Sequence, residues 1–119
     1  MANVTLATQD ITRAVPGGVA ETFTGGLLIA NNYFIQNDGR VFLHFKKTAV
    51  ATTAVTVVTP GVVDGNAIAD PVWTVPASTG DIMFGPFRPE VYNDPTTGLL
   101  QFTLGTDVVG LTVSVMRLP

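Results

Sequence analysis

The chain has 119 residues, a length that fits one domain with a single hydrophobic core. It contains no Cys, which excludes disulfides, cysteine-ligated zinc and cysteine nucleophiles. Charged residues make up 13% of the chain, hydrophobic residues make up 46%, and the formal net charge is −3. So few charges cannot cover the surface of the domain, and we expect another chain to cover part of its apolar surface.

The composition also argues against nucleic-acid and membrane partners. The basic residues are scattered and form no stripe that could follow a phosphate backbone. They are Arg13, Arg40, Lys46, Lys47, Arg88 and Arg117. The apolar runs are far shorter than the ~20 residues of a membrane span. The first ten residues have neither a basic nor an apolar region, so we expect no signal peptide.

Residues 1–18 are more polar and less regularly patterned than the rest of the chain, which predicts an extended N-terminal arm or a poorly ordered terminus. Residues 19–119 are rich in Thr and Val, which favour strands, and a Gly or Pro interrupts them about every ten residues. This rhythm predicts a single-domain, all-β, antiparallel β-sandwich or barrel, jelly-roll-like in its strand pattern. An immunoglobulin-like sandwich has nearly the same spacing of strands and turns.

The clearest turn signal in the chain is Asp38-Gly39, which lies between two apolar runs. It predicts a type I′ hairpin, because both central residues of that turn need positive φ. The paired strands would be Tyr33–Asn37 and Arg40–Lys46. Both faces of this hairpin are partly apolar, so we expect it in the centre of a sandwich or at a subunit interface.

Five later segments are predicted strands, and the last two alternate most clearly between apolar and polar residues. They are Ala54–Thr59, Pro71–Val75, Asp81–Phe87, Leu99–Leu104 and Leu111–Leu118. Weaker strand signals occur at Val4–Ala7 and at Glu21–Thr24. We expect no helix longer than one turn.

The sequence contains no motif that predicts an enzymatic reaction. The single His, His44, has no motif around it, and we expect a half-exposed strand residue. Ser78 and Ser114 lie in no nucleophile elbow. The two Glu residues, Glu21 and Glu90, share no motif of the kind that a glycosidase pair would need.

One turn faintly resembles a calcium loop. Asp64-Gly65-Asn66, followed by Asp70, lacks the bidentate Glu and the alternating ligands of an EF-hand. Turn Asp residues commonly bond their own backbone, which is the simpler interpretation. The sequence therefore predicts a protein that is not an enzyme, with no catalytic, cofactor-binding or metal-binding residues and no small-molecule substrate.

Two features have a binding interpretation. Trp73, the only Trp, is followed by Phe84 and Phe87, and such a cluster is either core or a platform for a sugar ring. We favour the core. Gly85–Pro89 is a rigid stretch that forms either a corner between strands or a loop that contacts a partner.

Four segments, in the same order along the chain, resemble small structural proteins encoded beside the major capsid gene of tailed bacteriophages. They are Met1–Arg13, Asn37–Leu43, Thr59–Gly65 and Gly85–Phe87. The resemblance implies a capsid decoration protein, also called a head-stabilising or cement protein. Proteins of this family are non-enzymatic and often trimeric, and many are β-rich with an N-terminal arm against the shell.

On this resemblance, the expected protein is a virion structural protein that binds the capsid surface and stabilises the expanded head. Its expected partners are the major capsid protein and two further copies of itself, in a homotrimer. It would be made in the host cytoplasm. Two alternatives stay open at this point: another virion β-domain, associated with the tail tube, connector or fibre, or a carbohydrate-binding module built on Trp73.

Overall fold

The computed structural model describes residues 3–11, 20–60, 62–63, 66–67 and 69–118, with backbone alone for 62–63 and 66–67. These ranges contain eleven strands and one single-turn helix. The strands are β1 (Asn3–Thr5), β2 (Gln9–Asp10), β3 (Asn32–Gln36), β4 (Val41–Lys47), β5 (Thr53–Val57), β6 (Val62–Val63), β7 (Asn66–Ala67), β8 (Val72–Val75), β9 (Gly80–Phe84), β10 (Leu99–Gly105) and β11 (Leu111–Arg117). The helix is α1 (Pro89–Tyr92).

Nine of the strands form two sheets that pack face to face. Sheet A has the order β1-β3-β10-β5-β8, and sheet B has the order β2-β11-β4-β9. The pairs β1–β3 and β2–β11 are parallel, and the other pairs within the two sheets are antiparallel. The strands β6 and β7 pair only with each other. The predicted all-β, single-domain sandwich is confirmed; the jelly-roll detail is not.

The core lies between the sheets and follows from the alternation of side chains along each strand. In β10, Leu100 and Phe102 have no exposed surface, while their neighbours along the strand are half-buried. Leu43 and Phe45 of β4 face them from sheet B, and the Phe45 and Phe102 ring centroids are 6.0 Å apart. In β11, Leu111, Val113 and Val115 are likewise at most 4% exposed, so the two strands with the clearest predicted alternation are confirmed as core strands.

The predicted hairpin at Asp38-Gly39 is wrong. β3 lies in sheet A and β4 in sheet B, so residues 37–40 carry the chain from one sheet to the other. Gly39 has φ +91°, but Asp38 does not have the positive φ that a type I′ turn requires. The apolar faces of both segments arise because each strand is an interior strand of its own sheet.

The N-terminal arm is not confirmed. Within the described residues 3–11, β1 adds to sheet A, β2 adds to sheet B, and Leu6 between them is only 7% exposed. The Leu6 N–H donates to the Phe34 carbonyl at 2.9 Å, and the Ile11 N–H donates to Arg117 at 2.9 Å. This stretch is extended, as predicted, but it belongs to the sandwich. The rest of the predicted arm lies outside the described residues.

Two other strand predictions need correction. The strand predicted at Asp81–Phe87 ends at Phe84, because Gly85 has φ +123° and Pro86 has no N–H with which to continue a ladder. The segment Glu21–Thr24 forms only one bridge, between Thr24 and Val113.

The register places the loops at two opposite ends of the sandwich. Loops 25–31, 48–52, 76–79 and 106–110 share one end, which we call the apolar end. Their only charged side chain is Asp107. Loops 37–40 and 85–98 share the other end, which we call the charged end, and contain five charged side chains. These are Asp38, Arg40, Arg88, Glu90 and Asp94.

Candidate functional site

The apolar end exposes four large aliphatic side chains. Leu28 is 54% exposed, Ile29 is 49% exposed, Val50 is 88% exposed and Val109 is 65% exposed. Single exposed aliphatic residues are common on any protein. Four of them on loops of one end, where the loops carry a single charge, favour burial of this end against another apolar surface.

One loop of the apolar end, 106–110, is held by a buried lysine. The side chain of Lys47, at the end of β4, has no exposed surface. Its Nζ donates to the main-chain carbonyls of Asp107 at 3.1 Å and Val109 at 2.9 Å, and Asp107 Oδ1 lies 4.0 Å away. The Thr53 hydroxyl also donates to the Asp107 carbonyl. These bonds fix the loop that presents Val109.

Neighbouring loops of the apolar end are fastened to each other by main-chain bonds. The Thr48 N–H donates to the Gly110 carbonyl at 3.2 Å, and the Ser78 N–H donates to the Ala49 carbonyl at 2.7 Å. Gly110 has φ +70°, and a Cβ there would lie 2.7 Å from the Thr48 hydroxyl. Three of the four loops are therefore packed too closely to move independently.

The charged end is organised by a pair of asparagines. The Asn37 amide donates to the Phe87 carbonyl at 3.1 Å and to the Asn93 side chain at 2.9 Å. Asn93 Nδ2 donates back to the Asn37 carbonyl at 2.7 Å. Arg88 and Glu90, which are exposed there, pair with each other at 2.8 Å. The segment Gly85–Pro89 is therefore bonded to the 37–40 connection between the two sheets. This agrees with its interpretation as a corner between strands.

The sequence did not predict the surroundings of His44. The fold brings Glu21 and Asp81 to it on the outer face of sheet B, and His44 is 5% exposed rather than half-exposed. His44 Nδ1 lies 2.9 Å from each carboxylate oxygen of Glu21, and Nε2 bonds Asp81. Burial alone would lower the pKa of His44, but these two carboxylates outweigh it and raise that pKa. The bond to His44 lowers the pKa of Asp81.

This cluster contains the residue types of a catalytic triad without its geometry. Ser114 is the cross-strand partner of His44, and its buried hydroxyl has no hydrogen-bond partner among the described residues. A nucleophilic Ser needs a free ring nitrogen on the His as its base. Both nitrogens of His44 are bonded to carboxylates, so the cluster cannot activate Ser114 in this arrangement.

Trp73 belongs to the margin of the core. It is partly buried, with its ring stacked on Phe84 at 5.2 Å and edge-on to Phe87 at 6.1 Å. Phe84 and Phe87 are themselves buried. The favoured core interpretation is confirmed, since Trp73 packs against the core cluster and one face of its ring is covered by Phe84.

The other residues considered from the sequence are dispersed. Asp70 accepts hydrogen bonds from the Thr59 N–H at 2.9 Å and the Thr59 hydroxyl at 2.7 Å, which lower its pKa. Asp70 therefore has a structural role, but it bonds a residue eleven positions earlier and not its own local backbone, as the simpler interpretation had it. Asp64 and Gly65 of the calcium-like sequence lie outside the described residues, as does the side chain of Asn66. Ser78 is in a loop of the apolar end.

Within the described ranges, no group of three or more His, Asp or Glu side chains converges on a point where a metal ion could sit. No helix in that part of the chain has the length and apolar character to cross a membrane. No known family model, curated protein or solved structure matches the chain.

Proposed function

We propose that this chain is a non-enzymatic structural protein that binds the outer surface of a tailed-phage capsid as a homotrimer, with the apolar end against the shell. The observation that carries the proposal is that four of the seven large hydrophobic side chains exposed within the described residues lie on the loops of one end, and that these loops carry a single charged side chain. The four segments that resemble decoration proteins are the reason for proposing a phage capsid as the partner.

The size of the apolar end explains why several copies would bind together. Fully burying one aliphatic side chain contributes ~1.5–3 kcal/mol, and these four are 49–88% exposed, so each adds at least ~1 kcal/mol. A total of about 4 kcal/mol corresponds to a dissociation constant near 1 mM. A single copy would bind weakly, whereas three linked copies on neighbouring capsid subunits gain from effective concentration.

The fixed loops of the apolar end also support a docking role. A loop that must become ordered on binding subtracts its ordering free energy from the affinity. The bonds from Lys47 and between Thr48 and Gly110 order loops 106–110 and 48–52 before any partner arrives. Bound protein would stabilise the expanded shell by mass action, with no chemical step.

The experiment is co-sedimentation with expanded, undecorated capsids built from the major capsid protein of the same genome. Wild-type protein should co-sediment, and binding should persist in high salt because it depends on apolar contact. Val50→Asp should weaken binding at least tenfold, while its fold is retained because Val50 is 88% exposed.

The matched control is Leu118→Asp, which places the same charge on an exposed aliphatic position beyond β11. It should bind like the wild type. The proposal fails if wild-type protein stays in the supernatant, or if Leu118→Asp abolishes binding and Val50→Asp does not. The copy number in purified virions distinguishes two locations of the protein. Many copies indicate the head surface, and few copies indicate the tail or the connector.

A further inference from the structure

Residues 20–24 lie at the edge of sheet B, next to β2 and β11, with the side chains of Glu21 and Phe23 against His44, and are held there by few bonds. Thr24 and Val113 exchange two main-chain hydrogen bonds, at 2.8 and 3.1 Å. The Thr22 N–H donates to the Gln9 side chain at 3.0 Å. The Gln9 side chain also donates to the Ala20 carbonyl, the Phe23 ring packs on His44, and the Glu21 carboxylate bonds His44. The segment has no ladder of its own, so each of these bonds carries a large share of its attachment.

His44 can satisfy both of its carboxylate partners only when it is charged. A neutral imidazole has one N–H, whereas an imidazolium has two. Glu21 accepts at Nδ1 and Asp81 accepts at Nε2, so the observed arrangement uses two donors. Loss of the proton removes one hydrogen bond and leaves two carboxylates beside a neutral ring.

The elements packed around His44 bring few other positive groups close to the two carboxylates. On β4, the only other charged group facing this region is Lys46, whose Nζ lies 4.9 Å from the ring centroid of Phe23. Phe23 itself packs edge-on to His44 at 5.1 Å and helps to cover it. β9 contributes Asp81, and β11 contributes the uncharged Ser114.

We propose that Glu21, His44 and Asp81 form a proton-operated clamp, which holds residues 20–24 on sheet B while His44 is charged and loosens them when His44 is neutral. This device does not depend on the capsid role proposed above. Its opening would change the outer face of sheet B, where Phe23 and Lys46 also lie, and leave the core in place.

The direction of the pH dependence follows from the two shifted groups. The pKa of His44 is raised in the fold, so its contribution is complete below the ordinary His value of about 6.5 and is lost as pH rises through the raised value. The pKa of Asp81 is lowered, so its contribution is present above about 3.8 and is lost as pH falls through the lowered value. The clamp is therefore closed in mildly acidic solution and open in alkaline solution.

The test is hydrogen exchange and NMR titration of the full chain. Between pH 6 and pH 9, exchange of the Thr24 amide should rise about tenfold beyond the base-catalysed increase, the factor expected for losing one charge-assisted hydrogen bond. The Val57 amide, in the core of sheet A, serves as the internal reference. If the two amides keep a constant exchange ratio across this range, the clamp does not exist.

A pair of variants distinguishes the clamp from a merely structural contact. Glu21→Gln should lower the titration midpoint of His44 and reduce the pH dependence of Thr24 exchange. Glu90→Gln changes the only other Glu, at the charged end, and should alter neither. An unchanged His44 midpoint in Glu21→Gln, or an equal shift in Glu90→Gln, would overturn the proposal.

Discussion

Lys47 gives the sharpest test of how the apolar end is built. Its ammonium group is completely buried and donates to two main-chain carbonyls of the loop that carries Val109. Lys47→Met keeps most of the unbranched side chain and removes the charge and its donors. We expect a less stable protein whose 106–110 loop is no longer fixed.

The magnitude follows from what each carbonyl loses. Two hydrogen bonds from a charged group are worth ~1.5–3 kcal/mol each. Part of this is offset, because the variant no longer takes an ammonium ion out of water, and because the Asp107 carbonyl keeps the Thr53 hydroxyl as donor. We expect a net loss of about 2 kcal/mol in the free energy of unfolding. At roughly 4 °C per kcal/mol for a domain of this size, the melting temperature falls by about 8 °C.

The assay is thermal and urea unfolding of Lys47→Met beside Lys46→Met. Lys46 is the preceding residue, points to the opposite face of β4 and is exposed, with a cation–π contact to Phe23 as its main interaction. Its replacement should cost less than ~1 kcal/mol. Equal effects of the two substitutions, or a Lys47→Met protein as stable as the wild type, would refute the reasoning. Lys47→Met should also weaken capsid binding, because Val109 loses its fixed position.

Three further changes test other parts of the fold by urea unfolding. Gly80→Ala should destabilise the protein by ~1–3 kcal/mol, because its Cβ would overlap the Pro76 carbonyl oxygen; an unchanged midpoint would mean that the 76–79 loop relaxes freely. Removal of residues 1–11 should lower the free energy of unfolding by at least ~2 kcal/mol, because Leu6 is buried. A stability equal to that of the full chain would mean that this stretch is a detachable arm. Asn37→Asp should lower the free energy of unfolding by ~1–3 kcal/mol, because an ionised carboxylate cannot donate to the Phe87 carbonyl and the Asn93 side-chain oxygen. Recovery of stability at low pH, where the Asp is protonated, would confirm this cause.

The elements that the sequence predicted well are those specified by local pattern. Alternation in β10 and β11 predicts one core-facing side, and both are interior strands of their sheets, although Ser114 and Met116 on the outer side of β11 are buried as well. The Asp38-Gly39 signal failed because a turn dipeptide reports local backbone geometry and carries no information on which strand receives the chain. A hairpin and a crossover between two sheets can both use a Gly with positive φ.

The His44 cluster was missed for a related reason. Glu21 lies 23 positions before His44 and Asp81 lies 37 positions after it, so no local spacing connects the three residues. The pairing of β4 with β9 is what brings Asp81 next to the His44 side chain. The available signal was that His44, between inward-facing Leu43 and Phe45, had to face outward, where polar partners are possible.

The parallel pairing of β2 with β11 has a consequence for the order in which the molecule can form. Asp10 and Arg117, which close this pair at 2.6 Å, are 107 positions apart along the chain. During synthesis, one edge of sheet B stays open until β11 has left the ribosome, so β2 has to wait unpaired while the rest of the sandwich is translated. Contacts of such large sequence separation slow folding, typically to milliseconds or seconds. We therefore expect closure of this edge to be a late step, and the open edge to be the place where nascent copies could pair wrongly with each other.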